Sequence, residues 1–353
     1  MQQLQVTTLV CDDQQSKIGQ LTLNHPKALN ALTLDMVCAL TEQLEAWQND
    51  ASVVAVFLNA SSAKAFCAGG DVVGIQQALA QDKQSDLPKA FFTHEYALNQ
   101  LMHEYPKPII CWGNGIVMGG GMGLFCSASD PVVTETSMLA MPEVSIGLYP
   151  DVAASWFLNR LPRHFAEFLA ITGYRMSGAD AFYVGLAHRM IASDQEHDLL
   201  SALRRTQWQA GEPSVLVKQL LKAFDIGSDL SRESLLKTHE DQVRAAMDTP
   251  IIAQKVNQVL SGEGEVFTRA KPLLAAASPL AVVVSLSQLE RSRHWSLTEV
   301  LRSELALSLK CCEYGEFSEG VRALLVDKDK APQWRFDHVD AVPADVLEWF
   351  FSP

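Results

Sequence analysis

The sequence predicts an α/β protein on two observations. Short apolar runs that read as strands recur between segments with helical spacing, and glycine-rich turns stand where a strand gives way to a helix. Ile18–Asn24 alternates like a strand and ends at the turn-forming Asn24-His25-Pro26. Thr33 is placed to cap a helix whose apolar face is Val37, Leu40, Leu44 and Trp47. Val53–Leu58 is wholly apolar and reads as a buried strand. A loop from Ser61 to Gly70 follows, then a helix from Asp71.

The order then repeats. Phe91–Glu104 reads as a helix ended by Pro106 and Pro108, Ile109–Trp112 as a strand, and a glycine-rich turn leads into an apolar helix reaching about Ser129. Val132–Thr134 and Met138–Met141 are strand-like, and helices Val152–Leu161 and His164–Thr172 come next. Ser177-Gly178-Ala179-Asp180 has the spacing of a capping box. From Ser193 to Arg269 the chain is polar and helix-forming, Ser278–Lys310 reads as two packed helices, and the stretch from Asp327 reads as irregular. This texture sets a boundary near residue 200, with a core over 1–200 and a mainly helical C-terminal region over 201–353.

Composition narrows the function classes. With 353 residues, 48% hydrophobic, the chain can bury a large core. A net charge of −13 argues against nucleic-acid partners, which need clustered Lys and Arg. Seven cysteines without CxxC spacing imply reduced thiols in a cytosol-like compartment. Met1–Asp13 has neither a secretory signal nor the arginines of a mitochondrial transit peptide, so the expected place is a bacterial-type cytoplasm, or the mitochondrial matrix for a matured eukaryotic form. The uncharged stretches Pro108–Ser129 and Pro272–Leu289 are broken by glycines, prolines and serines and read as interior, not as membrane spans.

Common catalytic signatures are missing: GxxxxGK[ST], GxGxxG, GxSxG and HExxH do not occur, and no metal is expected. Two glycine segments remain, Lys64–Asp71 (KAFCAGGD) and Gly113–Gly123 (GNGIVMGGGMG). Such turns expose backbone N–H groups, and two convergent N–H groups can hold the negative oxygen that develops on a thioester carbonyl. The plainer reading, tight turns and close helix packing, stands level with the functional one for either segment alone. Together, and followed by the carboxylate of Glu143, they point to catalysis.

These residues carry a resemblance. From Ile18 to about Ile191 the chain resembles the crotonase (enoyl-CoA hydratase/isomerase) superfamily, through Asn24–Leu32, Ala65–Asp71, Gly113–Gly123, Met141–Gly147 and Leu169–Leu186. The resemblance implies a spiral of repeated ββα units with a helical C-terminal region. It implies an oxyanion hole from the N–H groups of Gly70 and Gly120, and a CoA path along Lys27, Ala28, Leu29, Lys64 and Ala68. One departure selects among subgroups. Hydratases of the family carry a second glutamate two residues past the glycine triplet, where this chain has Gly123.

Met141–Val152 (MPEVSIGLYPDV), Glu95-Tyr96-Ala97-Leu98-Asn99 and the C-terminal Glu316–Asp329 with Pro332 and Trp334 are instead similar to the 3-hydroxyisobutyryl-CoA hydrolase family. That likeness spans nearly the whole chain and is weakest over Ser193–Arg269. It implies hydrolysis of an acyl-CoA of valine catabolism, with Glu143 as general base or nucleophile. Asp151 would position water or the acyl 3-hydroxyl, and Glu95 would assist. CoA is then part of the substrate and no cofactor is needed; no nucleic-acid or membrane partner is expected, and a homo-oligomer is left open. Hydration or isomerisation, and acyl-CoA binding without turnover, are the alternatives.

Several residues have a structural reading beside the functional one. Asp151 precedes a helix and suits an N-cap, and Asp71 reads first as the cap of its own helix. Glu95, judged from its neighbours alone, reads as part of a solvated helix face. Cys67 has no histidine partner that can be placed and reads as packing. Lys64, Arg322, Lys328 and Lys330 are candidates for the CoA phosphates, with Lys64 the best placed.

Overall fold

The computed structural model describes residues 3–227 and 233–352. Ten strands and a larger number of helices fall into two compact units, assembled from interleaved stretches of chain. The first is Met1–Gly70, Ala97–Leu139 and Met176–Ser234; the second is Asp71–Tyr96, Ala140–Arg175 and Leu235–Pro353.

The first unit is built on a six-stranded sheet, in spatial order β1 (Leu4–Val10), β2 (Lys17–Leu23), β3 (Val53–Ala60), β5 (Ile109–Gly113), β7 (Asp130–Val133) and β10 (Arg189–Met190). All neighbours are parallel except β1 and β2. Parallel strands need crossovers, and α1 (Leu34–Gln48) supplies one; Thr33 caps it as expected, accepting from Met36 N at 3.2 Å. Helices α8 (Glu196–Arg205) and α9 (Pro213–Phe224) close one core, where Leu199, Leu203, Val217 and Leu221 meet Ile18, Phe57, Ile110 and Trp112. Covered strands have no wet face, which is why Val53–Leu58 of β3 and the whole of β5 read as unbroken apolar runs. Residue 200 lies inside α8, within this unit.

A second sheet of the same unit has the order β4 (Ala65–Cys67), β6 (Ile116–Met118), β8 (Met138–Ala140) and β9 (Met176–Ser177). Its short strands correct two expectations. The loop from Ser61 to Gly70 contains β4, and the glycine turn before α4 (Gly120–Ser127) contains β6. Two or three residues are too few to show a period. Strand β1 also went unread, because as an edge strand it buries little beyond Leu4 and its sequence stays mixed. The capping box at Ser177 is present and opens α7 (Gly178–Val184).

The second unit is almost wholly helical. Asp71 caps α2 (Val72–Gln81), accepting from Gly74 N at 3.0 Å. Helix α3 (Leu87–His103) runs through the boundary at Tyr96. The helix expected at Val152–Leu161 shortens to α5 (Ala154–Leu158), because Val152 and Ala153 take φ of 53° and 68°. Helix α6 (Arg163–Thr172) buries Phe168 against Tyr174 and Phe267, and its Glu167 pairs with buried Lys255. The two helices expected over Ser278–Lys310 are Pro279–Ser292 and Leu297–Tyr314, capped by Ser278 and by a Ser296–Glu299 capping box. The stretch from Asp327 is irregular only in part, since Ala344–Phe351 is a helix that seats Trp349 and Phe350 against Tyr314.

Candidate active site

In the first unit the candidate groups are backbone donors. Leu32 forms a single parallel bridge with Gly70, its N–H donating to Gly69 O at 2.8 Å. In a parallel bridge the neighbours of the central residue do the bonding, so Gly70's own N–H points away from Leu32. Gly120 is the first residue of α4 and its N–H has no acceptor within the helix. The two turns meet: a Cβ on Gly121 would lie 2.3 Å from Cys67 O, so only glycine lets α4 approach the end of β4 this closely. Cys67 is buried with its Sγ against Gly69 O, a packing role as expected.

The residues expected along the CoA path share this unit. Asn30 Nδ2 donates to Ala65 O at 2.9 Å and Ala68 N to Leu29 O at 3.0 Å, which lays Lys27–Leu29 beside Lys64–Ala68. Lys27 and Lys64 are exposed; Ala28, Leu29 and Ala68 are half-buried. Arg322, in the second unit, is spoken for by Glu319, Asp327 and Asp329, the last two at 2.7 Å, which removes it as a free phosphate binder.

The second unit gathers side chains. Glu143 opens a 3₁₀ turn, Glu143–Ile146, that is fastened on several sides. Leu148 N donates to Glu143 O at 3.1 Å, Ser145 Oγ to Pro142 O at 2.7 Å, and Ser278 N to Val144 O at 2.9 Å. Helix Glu316–Val321 presses on the same turn: a Cβ on Gly320 would meet the carbonyl carbon of Ile146 at 2.4 Å. Glu316 itself accepts from Ser278 Oγ and Arg335 N, which anchors the Pro332–Trp334 segment here. The Glu143 side chain is buried, and its Oε2 has no hydrogen-bond partner among the described residues.

Asp151 is no helix cap. Its Oδ2 accepts from Tyr96 Oη at 2.6 Å, and the cap position of α5 belongs to Ala153. Glu95 is 3% exposed, and its Oε1 has no hydrogen-bond partner among the described residues, which overturns the solvated-face reading. It lies on the stripe Phe91, Glu95, Leu98 and Met102, whose helical spacing is the signal that places it inside.

A fourth acid escaped the sequence reading. Glu304, on helix Leu297–Tyr314, is fully buried and accepts from Ala153 N at 2.7 Å, Ser155 N at 3.0 Å and Ser155 Oγ at 2.5 Å. Nothing near it in sequence resembles a site, though an acid within the apolar face of Leu297, Val300, Leu301 and Leu307 is a signal of a kind.

Burial sets the electrostatics. It raises Glu95, with the Asp151 charge adding to it, and it raises Glu143 well above the ordinary carboxylate range, helped by Asp151, Glu95 and Glu304. Asp151 is pushed to about 6 by burial against the opposing bond from Tyr96, and Glu304 to about 8 by burial against its bonds from Ser155. Desolvated carboxyls near one another oppose each other's ionisation, so each of these acids holds its proton more tightly than it would in water. Among the described residues no group of three or more His, Cys, Asp or Glu is placed to hold a metal ion.

A family model described as enoyl-CoA hydratase/isomerase matches residues 18–351. A zebrafish protein named 3-hydroxyisobutyryl-CoA hydrolase, mitochondrial, is 37% identical over 95% of this chain and 87% of its own length. The human protein of that name is 35% identical over 94% and 83%. Among solved structures, a carnitinyl-CoA dehydratase from Mycobacterium thermoresistibile aligns with a TM-score of 0.87 at 32% identity, covering 100% of this chain and 97% of its own. An enoyl-CoA hydratase from Rhodobacter sphaeroides 2.4.1 aligns at 0.84 and 29%, covering 100% and 98%.

Proposed function

Since the chain belongs to the enoyl-CoA hydratase/isomerase family, the crotonase superfamily, we propose that it hydrolyses acyl-CoA thioesters, with 3-hydroxyisobutyryl-CoA as substrate and 3-hydroxyisobutyrate and CoA as products. The observation that carries this reading is the buried Glu143 carboxyl, with one oxygen unpartnered among the described residues and its proton affinity raised by burial and by the nearby Asp151 and Glu95. A base is most effective when its pKa lies near the working pH, and burial moves Glu143 in that direction.

In the proposed reaction the Gly70 and Gly120 N–H groups donate to the thioester oxygen as it becomes negative. Glu143 drives the attack, by deprotonating water or by adding to the carbonyl itself; both routes need it ionised. Asp151 and Glu95 accept from the acyl 3-hydroxyl and hold the water. The Lys27–Leu29 and Lys64–Ala68 segments carry the CoA, with the exposed Lys64 nearest its phosphates. The scheme uses no metal or redox cofactor. Its setting is a reducing compartment, bacterial cytoplasm or mitochondrial matrix, which suits seven cysteines that are all free thiols.

Thiol release measured on 3-hydroxyisobutyryl-CoA and on isobutyryl-CoA tests the assignment. Buried acceptors left unpaired by the analogue penalise it, so the hydroxylated substrate is expected to turn over much faster, and equal rates would overturn the reading. Hydration is the second reading, favoured by the names of the two solved relatives. Gly123 on α4 bears no carboxylate to share the water with Glu143, so crotonyl-CoA is expected to be hydrated poorly or not at all.

A further inference from the structure

Asp151 stands at the head of a turn that L residues rarely adopt. Val152 and Ala153 are both left-handed, with φ of 53° and 68°, and Val152 is β-branched. Consecutive residues of this kind persist only where the surroundings over-determine them. Here one helix does so, through two residues a turn apart. On Leu297–Tyr314, Glu304 takes the backbone N–H groups of Ala153 and Ser155 and the Ser155 hydroxyl. Ser308 lies 2.7 Å from Tyr96 Oη and 3.0 Å from Tyr149 Oη, and Tyr96 donates to Asp151. Tyr149 Oη also donates to Glu304 O at 2.6 Å. The backbone after Asp151 and the side chain of Asp151 are thus fixed from the same helix.

Glu304 is an odd choice for a merely structural part. It is 0% exposed, and among the described residues no ion pair involves it. An uncompensated buried acid costs stability. Among the described residues, every hydrogen bond its carboxyl accepts comes from the turn that carries Asp151.

We propose that Glu304 is a positioning residue for the reaction, which acts through Asp151 by holding the left-handed Val152–Ala153 turn and does not itself touch the substrate. This rests on the reading of Asp151 as the group that handles water or the acyl hydroxyl.

A double-mutant cycle tests it. Glu304→Gln keeps the volume but turns an NH₂ group toward donors that need an acceptor. It is expected to lower kcat about tenfold to a hundredfold, the loss that a misplacement of roughly 1 Å brings, while KM stays within about threefold. In an Asp151→Asn background the same change is expected to have little further effect, because residues acting as a unit are not additive. Losses of equal size in both backgrounds, or an unchanged kcat in a Glu304→Gln enzyme shown folded by circular dichroism, would overturn the proposal. An Asp151→Asn enzyme with normal kcat would instead overturn the reading of Asp151, so the two failures are separable. Where Glu304→Gln does not fold, Ser155→Ala removes one of the three donors and decides the matter. A smaller loss that vanishes in the Asp151→Asn background supports the proposal; an additive loss, or none, overturns it.

Discussion

The candidate groups of the two units differ in kind. In the first, the groups are backbone N–H donors, at Gly70, which the bridge to Leu32 orients, and at Gly120, the first residue of α4. In the second they are carboxyls at Glu95, Glu143, Asp151 and Glu304, drawn from three stretches of chain and in no ion pair among the described residues. A backbone donor is insensitive to most side-chain changes, to pH and to burial. A buried carboxyl answers to all three, since its charge state depends on every neighbour. The first unit is therefore expected to fail by geometry and the second by protonation.

The largest effect is expected in the second unit. Glu143→Gln preserves shape and removes the base, and kcat is expected to fall by about a hundredfold to ten-thousandfold. Steady-state thiol release reads it, and a folded variant with near-normal kcat would remove the carboxyl from the reaction.

In the first unit, Gly120→Pro deletes one donor at the first position of a helix, where proline is tolerated. The expected loss in kcat is at least about a hundredfold, with the pH profile unchanged in shape. A profile displaced along the pH axis would break the contrast between the units.

The smallest effect is on stability, and its sign is informative. Carboxyls raised by burial favour the folded state fully below their unfolded pKa, about 4, and that contribution is lost as pH rises through the folded values. Those values are about 6 for Asp151 and about 8 for Glu304. The wild-type melting temperature is thus expected to decline between pH 5 and pH 8, in a window where ordinary surface carboxylates are silent. Glu143→Gln is expected to melt higher than wild type at pH 8, on the order of 1–3 °C, because it replaces a desolvated ionisable group. A scan of both proteins by circular dichroism checks this; a variant that melts lower at pH 8 would show the carboxyl to be stabilising.

Legibility followed the same division. The α/β class, the α1 cap at Thr33, the Ser177 capping box and the paired glycine turns are local patterns, and the chain states them within a few residues. Strands β4, β6 and β9 were too short to show a period, and the left-handed pair Val152–Ala153 cannot be read from two ordinary apolar residues. At the site, Glu143 was legible because it follows a proline in apolar surroundings. Asp151 was ambiguous, since a cap and a buried acid look alike until Tyr96 is seen to donate to it. Glu304 was invisible, because its meaning lies in bonds to Ala153 and Ser155, which tertiary packing alone brings within reach.

The contact between Gly320 and Ile146 has a bearing on synthesis. The stretches that make up the first unit end at Ser234, whereas the Glu143 turn in the second is buttressed by residues from Ser278 to Arg335. Domains tend to form in the order in which they leave the ribosome. A nascent chain would therefore shape its glycine donors while its acid turn still lacked a partner to lean on. Hydrolytic competence would arrive last, with the final helices, and a chain stalled before residue 316 would carry its glycine turns beside a Glu143 turn still without the support of Gly320.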